Sequence, residues 1–340
     1  MDDEIQNFFR VWIAAVGSMC YCYFIAKHIP SGLTRLFSLL PIFYLLTILP
    51  FSLHSFHLGA PTAFYLVWLA NFKLLLFTFD TGPLSHPTHK PISLLHFVST
   101  ALLPIKLKPD PNPKLNPDQD PKASKNPVKL LDPASSGAEK LQKWGIGAAK
   151  VVLLVMVIRI YGYREYLHPY VMLGLYCCHV YLGVELVLAL TAVPVRAFLG
   201  LELEPQFHDP YLSTSLQDFW GRRWNLVVTS ILRPTVYCPV RSLSMPVLGR
   251  RWASLPAILA NFLVSGLMHE LLFYYFTRAK PTWEVTLFFV VHGGCTAVEV
   301  VSKKAVAVAY GSIPAVNCGL CSGDWSLVLL PADNKEQAGP

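Results

Sequence analysis

Asn261-Phe-Leu-Val-Ser-Gly-Leu-Met-His269-Glu270-Leu-Leu-Phe-Tyr-Tyr-Phe276 lies in an apolar run long enough to cross a bilayer, and it holds a histidine and a carboxylate inside that run. An ionisable side chain at bilayer depth costs about 2.5–3.5 kcal/mol on insertion scales, so it ordinarily faces a bundle interior or polar cavity and marks a functional path. This stretch therefore predicts a membrane-spanning helix, and it puts His269 first among the candidates for chemistry.

The rest of the chain suits the same solvent. Soluble domains carry roughly 25% charged residues, whereas this one has 14% charged and 53% hydrophobic residues and a mean hydropathy of +0.43. Several runs approach or exceed the ~20 apolar residues that a spanning helix needs. The ~10-residue alternating segments of a membrane barrel are missing. The fold class is all-α: a polytopic transmembrane helical bundle of about seven spans, with re-entrant or interfacial segments.

A net charge of +7 raises nucleic acid as a partner, but the basic residues fall between the apolar runs, the pattern of cytosolic loops. No nucleic-acid partner is expected. Cysteines at 20, 22, 177, 178 and 295 sit in or beside apolar runs, where a thiol acts as a small hydrophobe. The one Cys-x-x-Cys, Cys318 and Cys321, has no second pair and carries little weight for zinc or redox work.

In chain order, the predicted spans run over Val11–Ala26, Leu36–Leu53, Thr62–Phe79, Ile146–Tyr161, Val171–Leu190, Leu255–Phe276 and Val285–Val301. Lys27, His28 and Arg35 put the first connection in the cytosol and the N-terminus in the lumen. Ile92–Ile105 is too short to span and reads as interfacial or re-entrant. If it crossed, the loop Lys106–Lys143, with eight lysines and seven prolines, would fall on the wrong side. That loop has almost no aromatic or β-branched content and is expected to be disordered or polyproline-like. Residues 1–105 thus form N-terminal transmembrane helices, 106–145 a Pro/Lys-rich cytosolic loop, 146–304 a core containing a cytosolic basic segment, 201–252, and 305–340 an irregular tail.

Within the spans, His179 and Glu185 are six residues apart and point to different faces; each reads as a hydrogen-bonding residue between helices. The segment from Leu201 to Arg251 is the second place to look for chemistry. It gathers Asp218, Trp220, Arg222, Arg223, Asn225 and Arg233, either as an interfacial Trp and Arg belt or as part of a site.

Competing signatures fail. There is no Gly-x-Ser-x-Gly elbow, and none of the eleven histidines has an aspartate four or five residues later. His269-Glu270 lacks the second histidine of a zinc-protease helix. The pattern left is one histidine in a span plus a polar, arginine-rich cytosolic segment.

Ser215-Leu-Gln-Asp-Phe-Trp-Gly-Arg-Arg-Trp-Asn225, Phe262-Leu-Val-Ser-Gly-Leu-Met-His-Glu-Leu271 and Pro281-Thr-Trp-Glu-Val-Thr-Leu-Phe-Phe289 resemble the plant wax synthase-like branch of the membrane-bound O-acyltransferases. The likeness extends from the N-terminus to about Val301 and includes Glu204-Pro-Gln-Phe207. It implies a bundle of that family's type in the endoplasmic reticulum and acyl transfer from acyl-CoA, a co-substrate, to a lipid hydroxyl, with no cofactor or metal. The acceptor would be a fatty alcohol, diacylglycerol or sterol, and the acyl group could be as short as acetyl. His269 matches the family's catalytic histidine and Asn225 its polar partner.

The residues fit that chemistry. A neutral imidazole can take the alcohol proton as the oxygen attacks the thioester, an effect typically worth about 10²–10⁴-fold. Asn225 would donate to the oxyanion or orient the carbonyl. Ser265 lies one turn before His269 and would line the site, whereas Glu270, about 100° round the helix, is supporting. Arg222, Arg223 and Arg233 suit CoA phosphates or serve topology alone; Asp218 and Trp220 contact substrate or hold the segment. His292 reads as packing, with cavity lining as the alternative. Family members continue with further apolar segments where Gly311–Pro340 departs from them. The rival reading is a transporter or channel with His269 and Glu270 in a proton or substrate path, but the internal repeat common in that class is not found.

Overall fold

The computed structural model describes residues 2–85, 93–106, 133–200 and 203–309, and every element among them is helical. Among the described residues, seven helices are long and apolar enough to cross a membrane: Asp3–His28, Leu33–Ser52, Phe56–Thr78, Gly145–Tyr166, Pro169–Phe198, Ser254–Thr277 and Glu284–Val306. The protein is an integral, multi-pass membrane protein. Helices dominate because every backbone polar group in hydrocarbon must be satisfied within its own segment.

The chain divides into two compact units, Met1–Lys106 with Phe207–Pro340, and Leu107–Gln206. In the first unit, α1 (Asp2–Phe24) and α2 (Leu33–Ile48) pack on the third span. That span is α3 (Phe56–Ala63), a π-helical turn (Phe64–Ala70) and α4 (Asn71–Thr78) in direct succession. It is the most buried of the seven. Val11, Ala15 and Met19 of α1 meet Leu39, Leu46, Leu66, Leu74 and Phe77 in one core.

Within the stretch read as too short to span, α5 (Leu94–Leu102) is a nine-residue helix with one face in that core. Ser93 caps its start by accepting from the His96 N–H. At its end, fully buried Lys73 donates to the carbonyls of Thr100 and Leu103, each at 2.6 Å, placing an amine donor where a helix C-terminus leaves carbonyls unmet. Arg35 does a similar job between spans: it donates to the carbonyls of Ile29 and Phe77 and pairs with Asp80 at 2.5 Å.

After the polar segment come α8 (Leu216–Asp218), α9 (Leu226–Leu232), α10 (Cys238–Trp252), α11 (Ser254–Thr277) and α12 (Glu284–Ala309). Further π turns, Phe219–Arg223 and Arg233–Tyr237, precede α9 and α10. Arg278 ends α11 in the left-handed conformation at φ 56°. Its guanidinium ties that end to the carbonyls of Phe51 and Leu53, and Tyr275 donates to the carbonyl of Thr47. At the opposite end, Lys304 of α12 donates to the Arg251 carbonyl and to Ser254.

The second unit contains α6 (Pro133–Ile160) and α7 (Pro169–Leu199). His179 bonds Tyr161 at 2.9 Å, and Glu185 pairs with Lys150, so both in-span polar residues of α7 join the helices of their own hairpin. Most apolar side chains of this hairpin are exposed, as suits helices whose solvent is lipid.

Two boundaries differ from the sequence expectation. α6 begins at Pro133, inside the loop predicted to lack structure, because Ala138-Glu-Lys-Leu-Gln-Lys143 is a run of good helix formers leading into the span; residues 107–132 lie outside the described residues. α12 continues past Val301 to Ala309, since Lys303 and Lys304 reach polar partners while the helix runs on. The tail from Tyr310 onward also lies outside the described residues.

Candidate active site

His269 lies midway along the buried side of α11 and is half-buried. Its ring stacks on Phe289 of α12 with centroids 4.3 Å apart and meets Trp68 of the third span edge-on at 4.9 Å and 81°. Nδ1 lies 2.7 Å from the carbonyl of Ser265. A carbonyl only accepts, so in the neutral ring the proton sits on Nδ1 and the lone pair on Nε2. Ser265 is thus buried beside the site and contributes through its backbone oxygen.

Glu270 faces elsewhere. It is 5% exposed, and its carboxylate accepts from the Trp283 N–H at 3.0 Å and from the Thr286 N–H and hydroxyl at 3.3 Å. Those donors begin α12, so Glu270 satisfies N–H groups with no partner inside the helix and puts negative charge at the positive end of its dipole. One turn further on is Phe289. The supporting role read from the helical wheel is thus a clamp on the helix that carries the ring stacked on His269.

The two helices approach closely because glycines face the contact. A Cβ on Gly266 would lie 3.0 Å from the Thr286 Cα, and one on Gly293 would lie 2.8 Å from the Phe262 Cβ. Phe262 and Phe289 in turn receive Trp220, with centroids 5.7 and 5.8 Å away, and His292 meets the same indole at 5.8 Å. Trp220 therefore joins the motif segment to the aromatic wall around His269.

Apart from Arg233, which opens the π turn before α10, the remaining candidates are held in the segment 207–225. Arg223 pairs with Asp218 at 2.6 Å and donates to the carbonyls of His208 and Asp209. This hydrogen bond holds the Asp218 carboxyl below the usual carboxylate range. With its folded value depressed, the pair's contribution is complete at neutral pH and fades as pH falls through that lowered value. Arg223 is thus committed to a clasp, while Arg222 beside it is exposed and Arg233 half-buried. Ser215 caps α8 and accepts from Lys303, and the Gln217 N–H donates to Glu299, so α12 holds this segment as well.

Asn225 adopts the left-handed conformation, φ 39° and ψ 69°, and caps α9 by accepting from the Val228 N–H at 3.2 Å. Asparagine tolerates that backbone and cap position better than most residues. Among the described residues no hydrogen bond joins Asn225 to His269, and none occupies its Nδ2. Nor do three or more His, Cys, Asp or Glu side chains cluster there to hold a metal. Nothing in the residues around Trp68 marks it in advance; only the fold brings it beside His269.

A polytopic helical bundle with a half-buried histidine walled by aromatic rings suits a membrane-embedded enzyme. The chain belongs to the membrane bound O-acyl transferase family, whose profile matches residues 203–291, and it is an O-acyltransferase. It is 50% identical over 308 residues to the long-chain-alcohol O-fatty-acyltransferase of Simmondsia chinensis, covering 90% of this chain and 82% of that one. It is 44% identical over 302 residues to acyl-CoA--sterol O-acyltransferase 1 of Arabidopsis thaliana, covering 89% and 82%. No solved structure matches the chain. The family leaves the transporter reading without support.

Proposed function

We propose that the protein transfers a fatty acyl group from acyl-CoA to the hydroxyl of a long-chain alcohol, forming a wax ester, in the endoplasmic reticulum. His269 is the general base. Nε2 takes the alcohol proton as the oxygen attacks the thioester carbonyl. The tetrahedral intermediate then collapses with cleavage of the C–S bond, and the departing thiolate recovers the proton from the imidazolium. No metal or prosthetic group enters these steps.

The observation that carries the reading is the hydrogen bond from His269 Nδ1 to the Ser265 carbonyl, which leaves Nε2 as the basic nitrogen. Asn225 fits as the polar partner, with its oxygen committed to α9 and its Nδ2 open to an acyl carbonyl. Arg222 and Arg233 fit a CoA phosphate approaching from the cytosolic side, and Trp220 forms part of the acyl wall. The similarity to a sterol acyltransferase makes sterol the second acceptor to test; diacylglycerol with an acetyl donor is the third.

The test is expression in membranes lacking endogenous neutral-lipid synthesis, supplied with labelled palmitoyl-CoA or acetyl-CoA and each acceptor in turn. Wax ester should be the dominant product. Sterol ester or acetylated diacylglycerol in its place would reassign the acceptor, and no ester from any pair would overturn the reading.

A further inference from the structure

Trp68 is 1% exposed. Its indole Nε1–H is buried without a hydrogen-bond partner, although a buried indole ordinarily finds one. The ring is perpendicular to His269 at 4.9 Å, so this unmet donor belongs to a side chain in contact with the proposed base. It also stands on the π turn Phe64–Ala70, and π segments inside helices occur often at functional sites. Trp220 has an unmet Nε1–H too, but it touches Phe289, on which His269 stacks, and no ring contact joins it to His269.

An acyl-transfer site needs a donor where negative charge develops, on the oxygen of the thioester carbonyl. A buried N–H satisfied by no protein group is suited to that task, because it gives up no existing bond when substrate arrives. We propose that Trp68 is a catalytic residue whose indole N–H donates to the carbonyl oxygen of the acyl group being transferred. This rests on His269 acting as the base. As the alcohol oxygen bonds to the carbonyl carbon, the C=O π pair moves onto oxygen and the Trp68 N–H holds it. The pair returns as the C–S bond breaks, and Trp68 neither gives nor takes a proton.

The test compares wild type with Trp68→Phe, with 3-benzothienylalanine at position 68, and with His269→Ala. Benzothienylalanine keeps the indole shape and replaces only the N–H, by sulfur, so it decides the matter even where Trp68→Phe fails to fold. The measurements are kcat and KM with palmitoyl-CoA and hexadecanol, and binding of S-hexadecyl-CoA, a thioether with no carbonyl.

The expected result is a fall in kcat of about 10²–10³-fold for the benzothienylalanine protein, the usual loss for one oxyanion donor, with KM and thioether affinity within about threefold of wild type. A kcat within threefold of wild type, or thioether binding lost in parallel with rate, would overturn the role and leave Trp68 a wall. Activity lost in His269→Ala but kept with benzothienylalanine sinks the Trp68 role alone. Activity kept in His269→Ala sinks the base, and the proposal built on it.

Discussion

His269 and Glu270 are neighbours in sequence but serve different helices. The imidazole Nδ1 is engaged within α11, while the carboxylate reaches across to the first N–H groups of α12. Replacing Glu270 by Ala removes the acceptor from those donors, at about 1–3 kcal/mol for a buried unmet group, and frees the helix that carries Phe289. Glu270→Ala should therefore lower the unfolding midpoint in detergent and reduce kcat, with Glu270→Gln recovering part of both because one amide oxygen still accepts. Full stability in Glu270→Ala combined with complete loss of rate would instead put the carboxylate in the reaction. The adjacent pair invites a proton path when read from sequence; the partners of each side chain separate the two roles.

At the scale of elements, the aromatic wall around His269 depends on how closely α11 and α12 pack and on the π turns that aim aromatic rings at the contact. Small residues let membrane helices approach, and Gly293 lies where a Cβ would overlap Phe262. Gly293→Ala should cost about 1–3 kcal/mol through overpacking and slow the reaction by moving Phe289 off His269. Gly294→Ala, where a Cβ meets nothing within 4 Å, should leave both unchanged. Detergent melting curves and initial rates on the two variants decide it, and equal effects would mean that the helices do not pack as described. The helices themselves were legible from their apolar runs. The π turns were not, because one extra residue in a helical turn leaves no mark on hydropathy, and without the turn at Phe64–Ala70 nothing in the sequence points Trp68 at a histidine three spans further along the chain.

For the whole molecule, hydropathy gave all seven spans because lipid demands long apolar helices whatever their packing. It did not give the helical start at Pro133 or the continuation of α12 to Ala309, where polar residues stay helical through local partners and propensity. Residue types alone also could not separate Arg223, committed to Asp218 and two carbonyls, from exposed Arg222. The distribution of basic residues predicts that Lys303 is cytosolic and that Lys280, between α11 and α12, is lumenal. In a cysteine-free background, Lys303→Cys should react with an impermeant maleimide on intact microsomes and Lys280→Cys only after permeabilisation; the reverse would invert the bundle. The role of His269 as the base for acyl transfer is decided by ester formation from labelled palmitoyl-CoA and hexadecanol by wild type and His269→Ala at matched expression. A loss of about 10²-fold or more is expected in His269→Ala with the protein still folded; ester formation at the wild-type rate would rule His269 out as the base.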